Sequence, residues 1–161
     1  MPRKDSAGTP ATVALTAAGV PFTVHTYEHD PAAKSFGLEA AEVLGLPAEQ
    51  VFKTLLVDTG SGLAVGIVPV NCHLDLKAIA AALSVKKVEM ADPRAAERST
   101  GYVVGGISPV GQKRPLPTVL DESAELFDTI YVSGGKRGMD LGLSPADLTR
   151  VTSAGVADIA R

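Results

Sequence analysis

Apolar and polar residues interleave along this chain with two periods, one near 3.6 and one near 2, and short punctuators separate the segments. Thr9-Pro10 opens a first helix that Gly19 ends, with Thr9 as N-cap and Pro10 at the first helical position. Phe22 to Tyr27 (FTVHTY) is β-branched and aromatic and predicts a strand. HDPAAK predicts a loop, after which Ser35 caps a helix through Leu44 that closes at Gly45. VFKTLLVD and LAVGIVPV are apolar strands joined by TGSG, the clearest hairpin signal in the chain. DLKAIAAAL predicts a helix, KKVEM a short strand, and DPRAAERST a helix begun by Asp92-Pro93. VLD and TIYVS predict strands around a short ESAELF helix, and Ser144-Pro145 starts the last helix.

The hairpin demands antiparallel pairing, which fits a doubly wound parallel sheet poorly. The expected class is therefore α/β of the α+β kind: a mixed sheet or partly closed β-barrel flanked by helices. No stretch reads as a linker, so residues 1–161 are expected to form one domain, with 1–8 as a flexible lead.

Composition sharpens this in three ways. Aromatics are 4% and Trp is absent, so Val, Leu, Ile and Ala must build the core. A net charge of -3 argues against a general nucleic-acid binder and leaves room for a local basic patch facing one RNA end. Cys72 is the single cysteine, the N-terminus is polar, and no run approaches the roughly 20 apolar residues of a membrane span. A cytoplasmic protein with no membrane contact is expected.

Candidate chemistry gathers at Lys53 and at two glycine-rich loops. In FKTLLV, strand alternation puts Lys53 on the face of Leu55 and Val57, an unusual place for a lysine unless it lies at a strand edge with its ammonium in water. GYVVGGISPVGQKRP and YVSGGKRGMD, the second with Ser133 and Gly134, carry glycines beside Lys113-Arg114 and Lys136-Arg137. Their N–H groups could form an anion-binding nest, with the cations adding charge; two turns with solvated charges is the alternative. Asp140 could position an ammonium or hydroxyl, or serve as a turn or cap residue. His25, His29 and His73 show no ligand spacing with Cys72 or carboxylates, so no metal and no cofactor is expected. No serine has a nucleophile-elbow context.

VFKTLLV, VPVN-HLDLK, KKVEMADP, TGYVVGGISPVGQKRPLPTVLDESAELFDTIYVSGGKRGMDLGLSPADL and the ADIAR ending resemble the YbaK/EbsC family of free-standing aminoacyl-tRNA deacylases, related to the editing domain of prolyl-tRNA synthetase. The similarity runs from about Thr9 to Arg161. It implies removal of cysteine from mischarged Cys-tRNA(Pro), with that tRNA and prolyl-tRNA synthetase as partners and no DNA. It places Lys53, Tyr27 and Asp140 in catalytic roles. Phe36, Thr54, Gly105, Gly106, Ile107, Ser108, Pro109, Ser133 and Gly134 fall at substrate-binding positions.

The same resemblance implies a mechanism in which the cysteinyl thiol attacks its own ester carbonyl, giving a cyclic thioester and free tRNA; such a cyclisation would carry a lyase description. The protein then needs only to hold geometry, and orienting groups within one molecule contributes roughly 7–11 kcal/mol. In this reading Lys53 binds the terminal phosphate or ribose, amides from Gly105 to Ser108 meet the carbonyl oxygen, and Tyr27 and Asp140 orient the aminoacyl group. Two alternatives stand beside it: water-dependent deacylation of Ala-tRNA(Pro), and a non-catalytic module that binds the tRNA acceptor end or the synthetase.

Overall fold

The structure, a computed structural model, describes residues 8–161, so most of the lead expected to be flexible lies outside the described residues. Helices α1 (Pro10–Ala17), α2 (Phe36–Leu44), α3 (Leu76–Ala82), α4 (Pro93–Thr100) and α5 (Pro145–Thr152) alternate with short strands. Each begins where a side chain can take an orphan amide: Thr9, Ser35, Asp75, Asp92 and Ser144 all accept a backbone N–H at their helix starts. Gly45 and Gly101 end α2 and α4 in the left-handed conformation, with φ of 70° and 81°.

Strands β2 (Phe52–Asp58) and β3 (Leu63–Pro69) form the expected hairpin across Thr59–Gly62, from Phe52↔Pro69 to Asp58↔Leu63. On the far side of β3 lie β5 (Thr118–Asp121) and β8 (Gly155–Ala157), both added in parallel. On the free side of β2, β4 (Glu89–Met90) pairs only with Val57 and Asp58. A second sheet holds β1 (Thr23–Thr26), β7 (Met139–Leu143) and β6 (Ile130–Ser133), with β7 in the middle. The two sheets meet through one bridge, Val51↔Tyr131. The fold is thus mixed α/β with two sheets, and no barrel closes.

The main core lies between the sheets. Phe52, Leu56, Val65, Ile67 and Leu120 meet Ile130, Val132, Met139 and Leu141, with Ala11 and Leu15 of α1 on top. A second cluster on the other face of the larger sheet joins Val57, Val68 and Val119 to Ile79 of α3 and Ile159 near the C-terminus.

Strands β7 and β8 escaped the pattern reading, which ended the second loop at Asp140 and ran no strand after the last helix. Met-Asp-Leu-Gly-Leu contains two poor strand formers, and only burial on both faces makes it a strand. The ESAELF segment is a 3-10 turn over Glu122–Leu126.

Asp121 ties the C-terminal tail to this frame. It is buried, its Oδ1 accepts from the amides of Ile159 (2.9 Å) and Ala160 (3.0 Å), and its Oδ2 accepts from Ser123 (3.1 Å). Removing it orphans amides that cost about 1–3 kcal/mol each when unpaired and buried. Asp121→Ala should lower the unfolding free energy by about 3 kcal/mol or more in urea titrations, whereas a loss below about 1 kcal/mol would mean the tail holds without it.

Candidate active site

Between its bridge to β6 and its pairing with β4, strand β2 has no partner on one side from Phe52 to Leu55. A cleft of about 370 Å³ opens over this gap. Its lining comes from β2, from Tyr27 after β1, from Lys34 to Gly37 at the start of α2, from Met90 to Ala96, and from both glycine-rich loops.

The β2 backbone contributes directly. The Val51 carbonyl accepts from Val70 on the β3 side, whereas the Leu56 carbonyl accepts from Ala91 on the other side. Peptide groups alternate sides along a strand, so the N–H and C=O of Thr54 point to the open side, like those of Leu56. The Thr54 hydroxyl is buried without a protein partner. Lys53 is half-buried and forms no ion pair among the described residues. Burial lowers its pKa, partly opposed by nearby Cys72. Lys53 therefore lies on an unpaired stretch of strand edge, but its ammonium is half-buried over a cleft and not in open water.

Asp140 sits on the central strand of the smaller sheet, opposite His25 on one side and Ser133 on the other. It is 6% exposed, and no hydrogen bond among the described residues reaches its carboxylate. Burial pushes its pKa from 3.8 up to about 7. It is neither a turn nor a cap residue. Tyr27 is pushed up to about 12, first by burial, then by the charges of Asp140 and Glu39, so its hydroxyl stays protonated and can donate. Glu39 of α2 binds the preceding loop, with His29 Nδ1 at 2.8 Å and the Asp30 amide at 2.6 Å. These bonds, the Asp30 amide foremost, hold its pKa below the usual value.

The two glycine-rich loops interlock beside the cleft. A Cβ on Gly106 would lie 2.8 Å from Lys136 Cα, so only glycine lets the backbones meet. Gly105 has φ of +90°, and a Cβ there would strike the Phe36 ring. Arg137 donates from Nε (2.9 Å) and Nη2 (2.7 Å) to the Val104 carbonyl while lying 4.9 Å from the Phe36 ring centroid. Arg137 is thus a clasp between loops, where the sequence had suggested a ligand-facing cation.

The structure brings Lys53, Tyr27, Asp140, Phe36, Thr54, Gly105, Ile107 and Ser133 to the cleft. It does not bring Gly106, Ser108, Pro109 or Gly134 to its surface; all four are buried behind it. The Gly106 amide is already given to the Val103 carbonyl (2.8 Å), and the Gly134 amide to that of Met139 (2.8 Å). Sequence reasoning missed Lys34, Met90, Pro93, Ala96 and the Thr54 peptide. Only the three-dimensional path of β4 and α4 places the middle three there, and no residue pattern encodes it.

Asp140 gives a stability signature. Between about pH 4 and pH 7 the folded protein keeps a proton there that the unfolded chain has lost. Its contribution to stability therefore falls as pH rises through that window and levels off above it. Asp140→Asn should flatten this part of the urea-midpoint profile and stabilise the protein at pH 8 by at most about 4 kcal/mol. An unchanged profile would mean that Asp140 is already ionised in the folded state.

Comparison with known proteins gives the family. The profile of the aminoacyl-tRNA editing domain family matches residues 30–151. A protein of Enterococcus faecalis carrying the provisional name Cys-tRNA(Pro)/Cys-tRNA(Cys) deacylase EbsC is 43% identical over 120 residues, which cover 74% of this chain and 73% of that protein. Among solved structures, one described provisionally as a trans-editing enzyme for prolyl tRNA synthetase superposes with a TM-score of 0.80 at 26% identity, covering 94% of this chain and 95% of that one. A hypothetical protein, APE2540, gives 0.84 at 25% identity, covering 94% and 99%. The chain belongs to the aminoacyl-tRNA editing domain family.

Proposed function

We propose that this protein is a trans-editing deacylase that removes cysteine from Cys-tRNA(Pro), working beside prolyl-tRNA synthetase, in the cytoplasm and as one editing domain. The observation that carries the reading is a cleft whose lining offers no activated nucleophile. Ser35, Thr54 and Ser133 line it, but Ser35 caps α2, the Thr54 hydroxyl is buried, and Ser133 accepts from the Gly135 amide (3.2 Å). Among the described residues, no histidine or cysteine lines it to activate them. The relative's name and the family support the deacylase class. A deacylase name describes ester hydrolysis and does not support the lyase description that a cyclisation would carry. No helix among the described residues is long and apolar enough to cross a membrane.

In the mechanism we favour, the substrate's thiol sulfur bonds to its own carbonyl carbon while the bond to the ribose oxygen breaks. The thiol proton goes to that oxygen, and water later opens the cyclic thioester. Lys53 holds the terminal phosphate or ribose. With the Gly106 amide committed to Val103, the outward-facing Thr54 amide is the better donor to the carbonyl oxygen. Tyr27 donates to the aminoacyl group and Asp140 orients its amine. A second reading has one observation in its favour: a carboxyl with pKa about 7 is matched to general-base work on water. That chemistry would not need a thiol.

Charge-assisted hydrogen bonds are worth about 1.5–3 kcal/mol, so Lys53→Ala should slow Cys-tRNA(Pro) deacylation roughly 10- to 150-fold. Equal rates would remove Lys53 from the mechanism. In a panel of Cys-, Ser- and Ala-tRNA(Pro), the thiol route should cleave the first and spare the other two. Efficient release of alanine would establish attack by water instead.

A further inference from the structure

The chain carries -3 overall, yet residues 86–114 hold six cations (Lys86, Lys87, Arg94, Arg98, Lys113, Arg114) against three carboxylates, Glu89, Asp92 and Glu97. Two of those carboxylates are turned to the backbone. Asp92 accepts from the Arg94 amide (3.0 Å), and Glu97 from the Val104 amide (2.8 Å). Arg94, Arg98, Lys113 and Arg114 are exposed, and none forms an ion pair among the described residues.

Their placement is ordered. Arg94 and Arg98 are four residues apart on α4, so they share a face about 6 Å apart along the axis. Lys113 and Arg114 run along the end of the same helix, where their amides bind the carbonyls of Thr100 (2.8 Å) and Ser99 (3.2 Å). Pro93 and Ala96 of α4 line the cleft. On α4 the cleft-lining positions, Glu97 and the buried Thr100 define the inner side, and Arg94 and Arg98 lie outside it next to Glu97. The row thus starts beside the cleft and leads away from it. By contrast, the β5–β6 side carries Asp121, Glu122, Glu125 and Asp128 with no lysine or arginine between Thr118 and Ser133.

We propose that Arg94, Arg98, Lys113 and Arg114 form the docking track for the sugar-phosphate backbone of the RNA whose acylated end enters the cleft. This rests on the reading that the substrate is an aminoacyl-tRNA and extends it to the surface that receives the acceptor stem. Phosphate contacts of this kind supply sequence-independent affinity and make it salt-dependent. A track this short gives modest affinity on an acidic protein, enough to orient an RNA end.

Two measurements separate this inference from the functional reading. The first titrates uncharged tRNA by fluorescence anisotropy at several salt concentrations, with wild type and the Arg94→Ala, Arg98→Ala double variant. The variant should bind at least tenfold more weakly, and its log-affinity against log-salt slope should fall by about 1.5 to 2. The second follows hydrolysis of 3′-cysteinyl-adenosine, which is too small to reach the track; variant and wild type should cleave it equally, which also reports that the variant is folded. A wild-type slope and affinity in the variant would overturn the docking track. Failure of wild type to cleave either charged tRNA or the small ester would overturn the deacylase reading while the binding difference still upheld the track.

Discussion

The contact between the two glycine-rich loops is the constraint on which the site depends. Gly106 lies flat against the backbone of Lys136 and Arg137, and Arg137 reaches back to the Val104 carbonyl and across the Phe36 ring. One interaction therefore fixes three parts of the cleft: the segment after α4, the β6–β7 turn and the start of α2. Side-chain bulk at Gly106 would push apart backbones, which cannot rotate away as a side chain can. The buried glycines serve the site by permitting this approach, leaving the amides and side chains in front of them to meet a ligand.

The second determinant is electrostatic. A half-buried ammonium with no counter-ion and a buried carboxyl with no hydrogen-bond donor, both among the described residues, line the same cleft. Each is less stable charged in the empty protein than it would be in water. A ligand presenting an anion to the first and a donor to the second would relieve both at once.

Much of this was legible in the residues, for identifiable reasons. Caps at Thr9, Ser35, Asp92 and Ser144 and the TGSG turn are local signals, and the helices and hairpin began where those signals stood. Lys53 stood out because a cation interrupts an apolar strand. What stayed hidden depended on pairing across distance. Met139–Leu143 is a strand because β1 and β6 flank it, and its own sequence is too rich in Gly and Asp to say so. Arg137 looked ligand-facing because nothing near it in sequence announces Val104, 33 residues earlier. The division of GGISP into cleft-lining Gly105 and Ile107 and hidden Gly106, Ser108 and Pro109 likewise follows from packing alone.

The interrupted pairing of β2 also acts as a ruler. Four residues of free edge span about 13 Å at strand rise, with β6 closing one end and β4 the other. An aminoacyl group on a single nucleoside fits that length, while a peptide strand laid along it would run into β4 after a few residues. A longer bare edge would also invite strand addition from a neighbouring molecule, a hazard that natural sheets limit by keeping edges short and charged. Lys53 in the gap meets that second requirement while lining the cleft. Resistance to strand addition and the size of ligand the gap can take thus bound the same stretch of backbone, and lengthening the gap would expose the protein to self-association.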